Sequence, residues 1–316
     1  RFDGGAVASI AETMTLDEVL RPGGIVWLHL NGRDGRVPAL LARLAELPAR
    51  AQACLTGREE HMTMSAAERA VFGVFPDFER DFEGEGRAIG RFRFALTGRL
   101  LVTVRRHPLH SAEHARMEIA RGAAVRTPVD ILELIVAAFH GRLNVLLEEV
   151  AETIDRVEDS VFDDVPRDER RTLGPVRRTL VRLHRHLRSA AGLLRRLEAQ
   201  AAAGPPDGVA AAADRMSHRL AHCDLDVMTL QDRARLLHEE IDSKINAQTN
   251  RHLFTLSVMS AFLLPPTLIV GFFGMNTAGL PFQSLPGGTW YAGGLCVAAI
   301  ALAWWFLRRG GIGRGS

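Results

Sequence analysis

Between residues 24 and 106, short apolar runs of strand character alternate with helical stretches such as 37–45. The runs are IVWLHL (25–30), VFGVF (71–75), IGRFRFAL (89–96) and LLVTVR (101–105). Thr97-Gly98-Arg99 joins the last two as a hairpin. That pattern predicts an α/β region. A long helical region then opens at Thr127-Pro128: a threonine side chain can accept from a free N–H of the first turn, and proline lacks the N–H that this turn leaves unused. Gly204-Pro205-Pro206-Asp207-Gly208 breaks the helical pattern before a last helix, which can run from about residue 212 to 273 with no proline until Pro265.

Two stretches near the C-terminus lose their charge altogether. LFTLSVMSAFLLPPTLIVGFF (253–273) is about 21 residues, or roughly 31 Å as a helix, and WYAGGLCVAAIALAWWFL (290–307) is about 18 residues, or roughly 27 Å. They predict a helical hairpin through a bilayer, the alternative being a hairpin buried in a soluble core. Arg251 precedes the first span, Arg308, Arg309 and Arg314 follow the second, and the connector 274–289 is uncharged. The positive-inside rule therefore expects both termini in the cytoplasm, with Trp290, Tyr291, Trp304 and Trp305 as interfacial anchors. The first ten residues lack the apolar core of a secretory signal. The expected organisation is an N-terminal α/β domain (1–126), a helical hairpin and stalk (127–250) and a membrane domain (251–316).

Charge is ordered within the helical region. Glu148, Glu149, Glu152, Asp155, Glu158, Asp159, Asp163 and Asp164 precede a turn at Val165-Pro166, after which arginines dominate, from Arg167 to Arg196. We expect an antiparallel hairpin in which the two sets answer each other, rather than a nucleic-acid surface.

On the last helix, a spacing of alternately three and four residues picks out Asp232, Glu239, Asp242 or Ser243, Asn246, Asn250, Leu253, Ser257, Ser260, Leu264, Thr267, Gly271 and Gly274. A repeat near 3.5 is what a supercoiled bundle keeps along its axis. One face is thus acidic in the stalk, amide-bearing at the membrane entrance and small or hydroxylated within the span. Polar residues in a span face a bundle interior or a water path, whereas small ones also serve close helix packing, and both alternatives stand. Two spans cannot enclose a pore, so either implies several copies. Apolar collars at Leu253, Leu256 and Leu264 would close such a pore by dewetting.

Composition narrows the field. Lys+Arg 39 against Asp+Glu 37 gives a net charge of only +2, which disfavours a nucleic-acid partner. Cys54, Cys223 and Cys296 are scattered and odd in number, so no disulfide framework is expected. No phosphate-binding glycine loop, nucleophile elbow or HExxH is present, which argues against an enzyme or an ATP-driven pump. His218 and His222 share a helical face as zinc ligands often do, with Asp226 nearby, whereas Cys223 points about 100° away from His222. These three form a candidate metal site whose alternative is solvated histidines and a buried thiol. His110 and His114 repeat the spacing, while His184 and His186 do not share a face.

The first span ends in Gly274-Met275-Asn276. At the outer end of the first of two C-terminal spans, after a charged stalk, this motif resembles the signature of the CorA-type divalent-cation transporters, and the similarity covers essentially the whole chain. The resemblance implies an α+β cytoplasmic domain with a long helical stalk and two C-terminal transmembrane helices, assembled as a funnel-shaped homopentamer in the bacterial inner membrane. It also implies five Asn276 amides around the outer mouth, meeting the water shell of a divalent cation. Asn250, Leu253, Leu256, Thr267, Gly271, Gly274 and Asn276 match the family's pore positions. The loop Thr277-Ala278-Gly279-Leu280-Pro281-Phe282 lacks the carboxylate usual in the magnesium branch and is similar to that of the zinc-transporting ZntB branch. Zn2+ is therefore the expected cargo, with Mg2+, Co2+, Ni2+ or Cd2+ as alternatives and no catalytic cofactor. A membrane-anchored scaffold or sensor is the reading from another class.

Overall fold

The computed structural model describes residues 2–3, 6–7, 23–57, 61–80, 88–162, 169–200, 204–275, 280–281 and 287–309. The chain divides into two compact units, Arg1–His238 and Glu239–Ser316.

The first unit opens with a two-stranded antiparallel pair, β1 (Phe2–Asp3) and β2 (Ala6–Val7). A five-stranded sheet of order β3-β7-β6-β5-β4 follows, built from β3 (Val26–Asn31), β4 (Thr63–Ala67), β5 (Ala70–Phe78), β6 (Ile89–Leu96) and β7 (Leu100–Arg105). Only β3 and β7 run parallel; the other pairs are antiparallel. The β6–β7 hairpin turns through Thr97-Gly98-Arg99 as expected, closed by the Thr97 N–H donating to the Leu100 carbonyl at 2.8 Å.

Helices α1 (Val37–Ala42) and α2 (Ala49–Thr56) cover one face of the sheet, where Leu41, Leu44 and Leu55 meet Leu100, Val102 and Val104. The other face carries Phe75, Phe92 and Phe94, and the ring of Phe139, from the long helix α4 (Pro128–Phe162), lies 6.0 Å from Phe75 and 5.2 Å from Phe78.

The first unit differs from the sequence expectation at two places. Strand β4 escapes notice because its turn into β5 is Glu68-Arg69, at φ 52° and 60°, instead of the Asn-Gly that normally marks such hairpins. Helix α1 stops at Ala42, not residue 45.

Helix α3 (His110–Ala120) precedes α4 (Pro128–Phe162), α5 (Glu169–Ala199) and α6 (Val209–Phe273). Thr127 caps α4 reciprocally with Asp130. The Asp130 N–H donates to Thr127 Oγ1 at 3.3 Å, while the carboxylate of Asp130 accepts from the N–H of Thr127 and of Arg126, each at 2.8 Å. The break before α6 falls where expected, with Gly204 and Gly208 at φ +67° and +83°.

The three long helices pack through heptad-like seams: α5 buries Leu173, Val176, Leu180, Leu183 and Leu187, and α6 buries Met216, Leu220, Cys223 and Val227. The charges are distributed differently from the expectation of a self-answering α4–α5 hairpin. Asp155 and Glu158 of α4 both accept from Arg233 of α6 at 2.7 Å, and Glu133 accepts two bonds from Arg215 of α6. Arg215 and Arg233 of α6 reach α4, whereas Arg177, Arg178, Arg182 and Arg185 of α5 are turned outward. The turn at Val165-Pro166 lies outside the described residues.

The second unit holds the end of α6 and α7 (Gly288–Arg309). Nothing in the most apolar stretch of either helix is buried within the protomer. A soluble core would enclose such helices, so the buried-hairpin alternative finds no support, and both are long and apolar enough to cross a bilayer.

Candidate functional site

The two apolar helices share one face. On α6 the half-covered positions include Val258, Phe262, Pro265, Ile269 and Phe273; on α7 they include Ala292, Cys296, Ala299, Ala303 and Leu307. The thiol of Cys296 lies 3.9 Å from the Pro266 carbonyl within this contact. At ~100° per residue, the stripe of Leu253, Ser257, Leu264, Thr267, Gly271 and Gly274 is centred ~170° from the face that α7 covers. All six are exposed in the protomer; Ser260 is half-covered, and Leu256 and Met275 are exposed. The hydroxyl of Thr267 donates to the Leu263 carbonyl at 2.7 Å, so its oxygen keeps acceptor capacity on that face. Gly271 has nothing within 4 Å of where a Cβ would stand.

The N-terminal continuation of this stripe is exposed as well. Asn246 and Asn250 face outward, as do Glu239 and Asp232, the latter 4.0 Å from Arg235; Asp242 is half-buried. Leu225, Met228 and Leu236 are exposed apolar residues of the stalk portion in the first unit. Asn276 and Thr277, Ala278 and Gly279 lie outside the described residues, as does Phe282. At the other end of α7, Arg308 stacks over the Trp304 ring at 4.5 Å and Arg309 over Trp305 at 4.9 Å. This pairing suits aromatic anchors beside cationic headgroup contacts.

His218, His222 and Cys223 are not assembled into one site. His218 and His222 are largely exposed and pair along their own helix, with Asp214 at 3.2 Å and Asp226 at 3.4 Å. Cys223 turns into the packed seam, where its thiol donates to Asn144 Oδ1 at 3.5 Å, and burial pushes its pKa up to about 11. A protonated thiol is a poor metal ligand. Cys223 and His222 border a groove of about 540 Å³ together with His140, Asn144, Glu148 and Asp226. Among the described residues, no three of His, Cys, Asp and Glu come together at metal-binding spacing. His110 and His114 stack at 5.9 Å, with His110 held below the usual imidazole range by burial and then by His114.

Several polar contacts in the first unit join residues far apart in sequence and carry no local signal. His184 Nδ1 lies 2.7 Å from Asp224 and ties α5 to α6. Asp77 is fully buried at the start of α3, where its carboxylate accepts from the N–H and the hydroxyl of Ser111 and from the Phe78 N–H. Leu109 precedes α3 and has no capping side chain, so Asp77 supplies the missing acceptor from another element.

The fold, with its α+β unit, long helix and two apolar C-terminal helices, is that of a metal-ion transporter class. The chain belongs to the family of the CorA-like Mg2+ transporter protein, which matches residues 22–309. It is 22% identical to the zinc transport protein ZntB of Pectobacterium atrosepticum over 319 residues, covering 98% of this chain and 93% of that protein. It is 23% identical to the divalent cation transporter CmaX of Pseudomonas aeruginosa over 218 residues, covering 69% of this chain and 66% of that protein. Among solved structures, the complete CorA magnesium transporter from Methanocaldococcus jannaschii is similar with a TM-score of 0.76 at 17% identity, over 97% of this chain and 96% of that one. Full-length CmaX is similar with a TM-score of 0.75 at 21% identity, over 90% and 88%. The protein is accordingly a membrane transporter of divalent cations of the CorA family and not an enzyme.

Proposed function

We propose that five copies surround an axis lined by the α6 stripe and pass Zn2+ across the bacterial inner membrane, with both termini in the cytoplasm. The observation that carries this reading is the position of the stripe, on the side of α6 opposite the face that α7 covers. An inner ring of α6 helices and an outer ring of α7 helices then places Asn246, Asn250, Ser257, Ser260, Thr267 and Gly271 toward water. It leaves the exposed leucines and aromatics of α7 to lipid. The exposed stalk residues Leu225, Met228 and Leu236 support assembly, because a stalk packed against copies of itself would cover them.

Five Asn276 side chains, following Gly274 and Met275, form the outer mouth and bind the cation through its hydration shell. The leucine collars at Leu253, Leu256 and Leu264 interrupt the water column, and Asp232, Glu239 and Asp242 draw cations on the cytoplasmic side. Zinc is favoured over magnesium by the carboxylate-free loop after Asn276 and by the ZntB relatives that match nearly the whole chain. A CorA-type Mg2+, Co2+ or Ni2+ channel is the second reading, favoured by the family's magnesium-transporting structure.

The test is metal uptake into proteoliposomes, comparing Zn2+ with Mg2+, with and without a pH gradient, for the wild type and for Asn276→Ala. Zinc flux that disappears in Asn276→Ala, with assembly intact, is expected. Magnesium flux without zinc flux moves the protein to the second reading, and undiminished flux in Asn276→Ala removes the pore mouth.

A further inference from the structure

Four arginines of α5 stand on one outward face. Arg177, Arg178, Arg182 and Arg185 border a concave surface of about 440 Å³ with Gly174 and Val181, and all four are exposed. Among the described residues none of the four has an ion-pair partner. Like charges at i, i+4 on a helix repel by a few tenths of a kcal/mol per pair, so the face favours an anionic neighbour.

Helix α4 carries a matching acidic face. Glu148, Glu152 and Asp159 are exposed at helical spacing and unpaired among the described residues, beside Asp155 and Glu158, which Arg233 already engages. Each charged face contains one exposed valine, Val181 at 42% and Val145 at 45%. The acidic face borders the groove between α4 and α6, whereas among the described residues the arginine surface is lined by α5, so the two are separate surfaces.

We propose that the arginine face of α5 docks along the acidic face of α4 of a second copy, linking the first units of the assembly into a ring. The inference rests on the homopentamer of the proposed function. In a bundle of α4, α5 and α6 with α6 toward the axis, α4 and α5 form the two flanks, and each flank meets the opposite flank of the next copy. Two different surfaces that complement each other make a heterologous contact, and such contacts close into a ring when the rotation between neighbours divides the full circle, as the fivefold axis of the proposed function requires. A second copy supplies both signs in nearly equal number, consistent with a chain whose net charge is only +2. A valine within each charged face suits helix-to-helix packing and has no counterpart in a layer of lipid phosphates.

The experiment uses the full-length chain in detergent micelles. Three variants are compared with the wild type: Arg178→Glu/Arg182→Glu/Arg185→Glu, Glu148→Arg/Glu152→Arg/Asp159→Arg, and the combination of all six. Mass photometry on dilution reads the concentration at which the assembly half-dissociates, and circular dichroism checks helix content. Each triple variant should raise that concentration about tenfold, a coupling typical of several charge pairs at an interface, and the sixfold combination should bring it back toward the wild type. Restoration in the combined variant distinguishes lost docking from lost folding. A wild-type pentamer indifferent to all three variants overturns this inference alone. So does an arginine triple variant that loses only its binding to vesicles rich in anionic phospholipid, which would assign the face to the membrane surface. A wild-type chain that stays monomeric removes the pentamer and this inference with it.

Discussion

Asp77 shows how one carboxyl can be placed at a cost and still hold a fold together. Burial raises its pKa from the ordinary 3.8 to about 7, against the opposing pull of the Ser111 and Phe78 donors. A folded-state pKa above the unfolded value means that the folded chain binds the proton more tightly, so stability is lost as the pH rises from about 4 to about 7 and is flat beyond. At roughly 1.4 kcal/mol per pKa unit the loss is on the order of 4 kcal/mol, with the opposing pull of the three donors already contained in the shift. Asp77→Asn removes the ionisation and keeps an acceptor for Ser111 and Phe78. Thermal unfolding from pH 4 to pH 8 should show the wild type losing ground to the variant as the pH rises, and parallel curves would contradict the raised pKa. Nothing near Asp77 in sequence announces this role, because Ser111 lies on a different element. By contrast, the Thr127 cap was legible, since its partner Asp130 is three residues away. Thr127→Ala should cost about 1 kcal/mol of unfolding free energy in urea denaturation.

Among the elements, legibility followed the length of the apolar pattern and the chemistry of the turns. The long helices α4, α5 and α6 and the strands β3, β5, β6 and β7 stand out because their periodicity is sustained or their ends carry Gly, Pro or a cap. Strand β4 did not, because TMSAA is short and weakly apolar and its turn uses residues that resist positive φ. That resistance has a measurable consequence. A left-handed backbone costs a non-glycine residue roughly 1–2 kcal/mol, and asparagine and glycine bear it more easily. Glu68→Asn/Arg69→Gly should therefore raise the melting temperature by a few degrees, the extra unfolded-state entropy of glycine offsetting part of the gain. An unchanged or lower melting temperature would mean that the turn is held by contacts of Glu68 or Arg69. The division of charges among α4, α5 and α6 was not legible either: sequence order pairs the acids of α4 with the nearest basic run, whereas packing brings Arg215 and Arg233 to them from α6.

At the scale of the whole molecule, the stripe on α6 was legible because a spacing of three and four persists from the stalk through the span, and the protomer leaves that face open. In the proposed function that face serves the assembly, and substitutions that the protomer tolerates are the sharpest probes of it. Gly271 has open space where a Cβ would stand and lies on the stripe; Gly293 and Gly294 of α7 have the same open space off it. At each of the three a Cβ meets nothing within 4 Å, so a larger side chain starts out into open space. If the stripe faces a narrow water path, Gly271→Leu introduces five bulky apolar groups into one ring, and the column of water dewets there. Flux in proteoliposomes should fall about tenfold or more, with membrane insertion and oligomer size unchanged. Gly293→Leu and Gly294→Leu, which meet lipid in this arrangement, should transport as the wild type does. Equal flux in all three variants would place the conduction path somewhere other than the stripe, and a loss in the α7 variants alone would exchange the roles of the two helices.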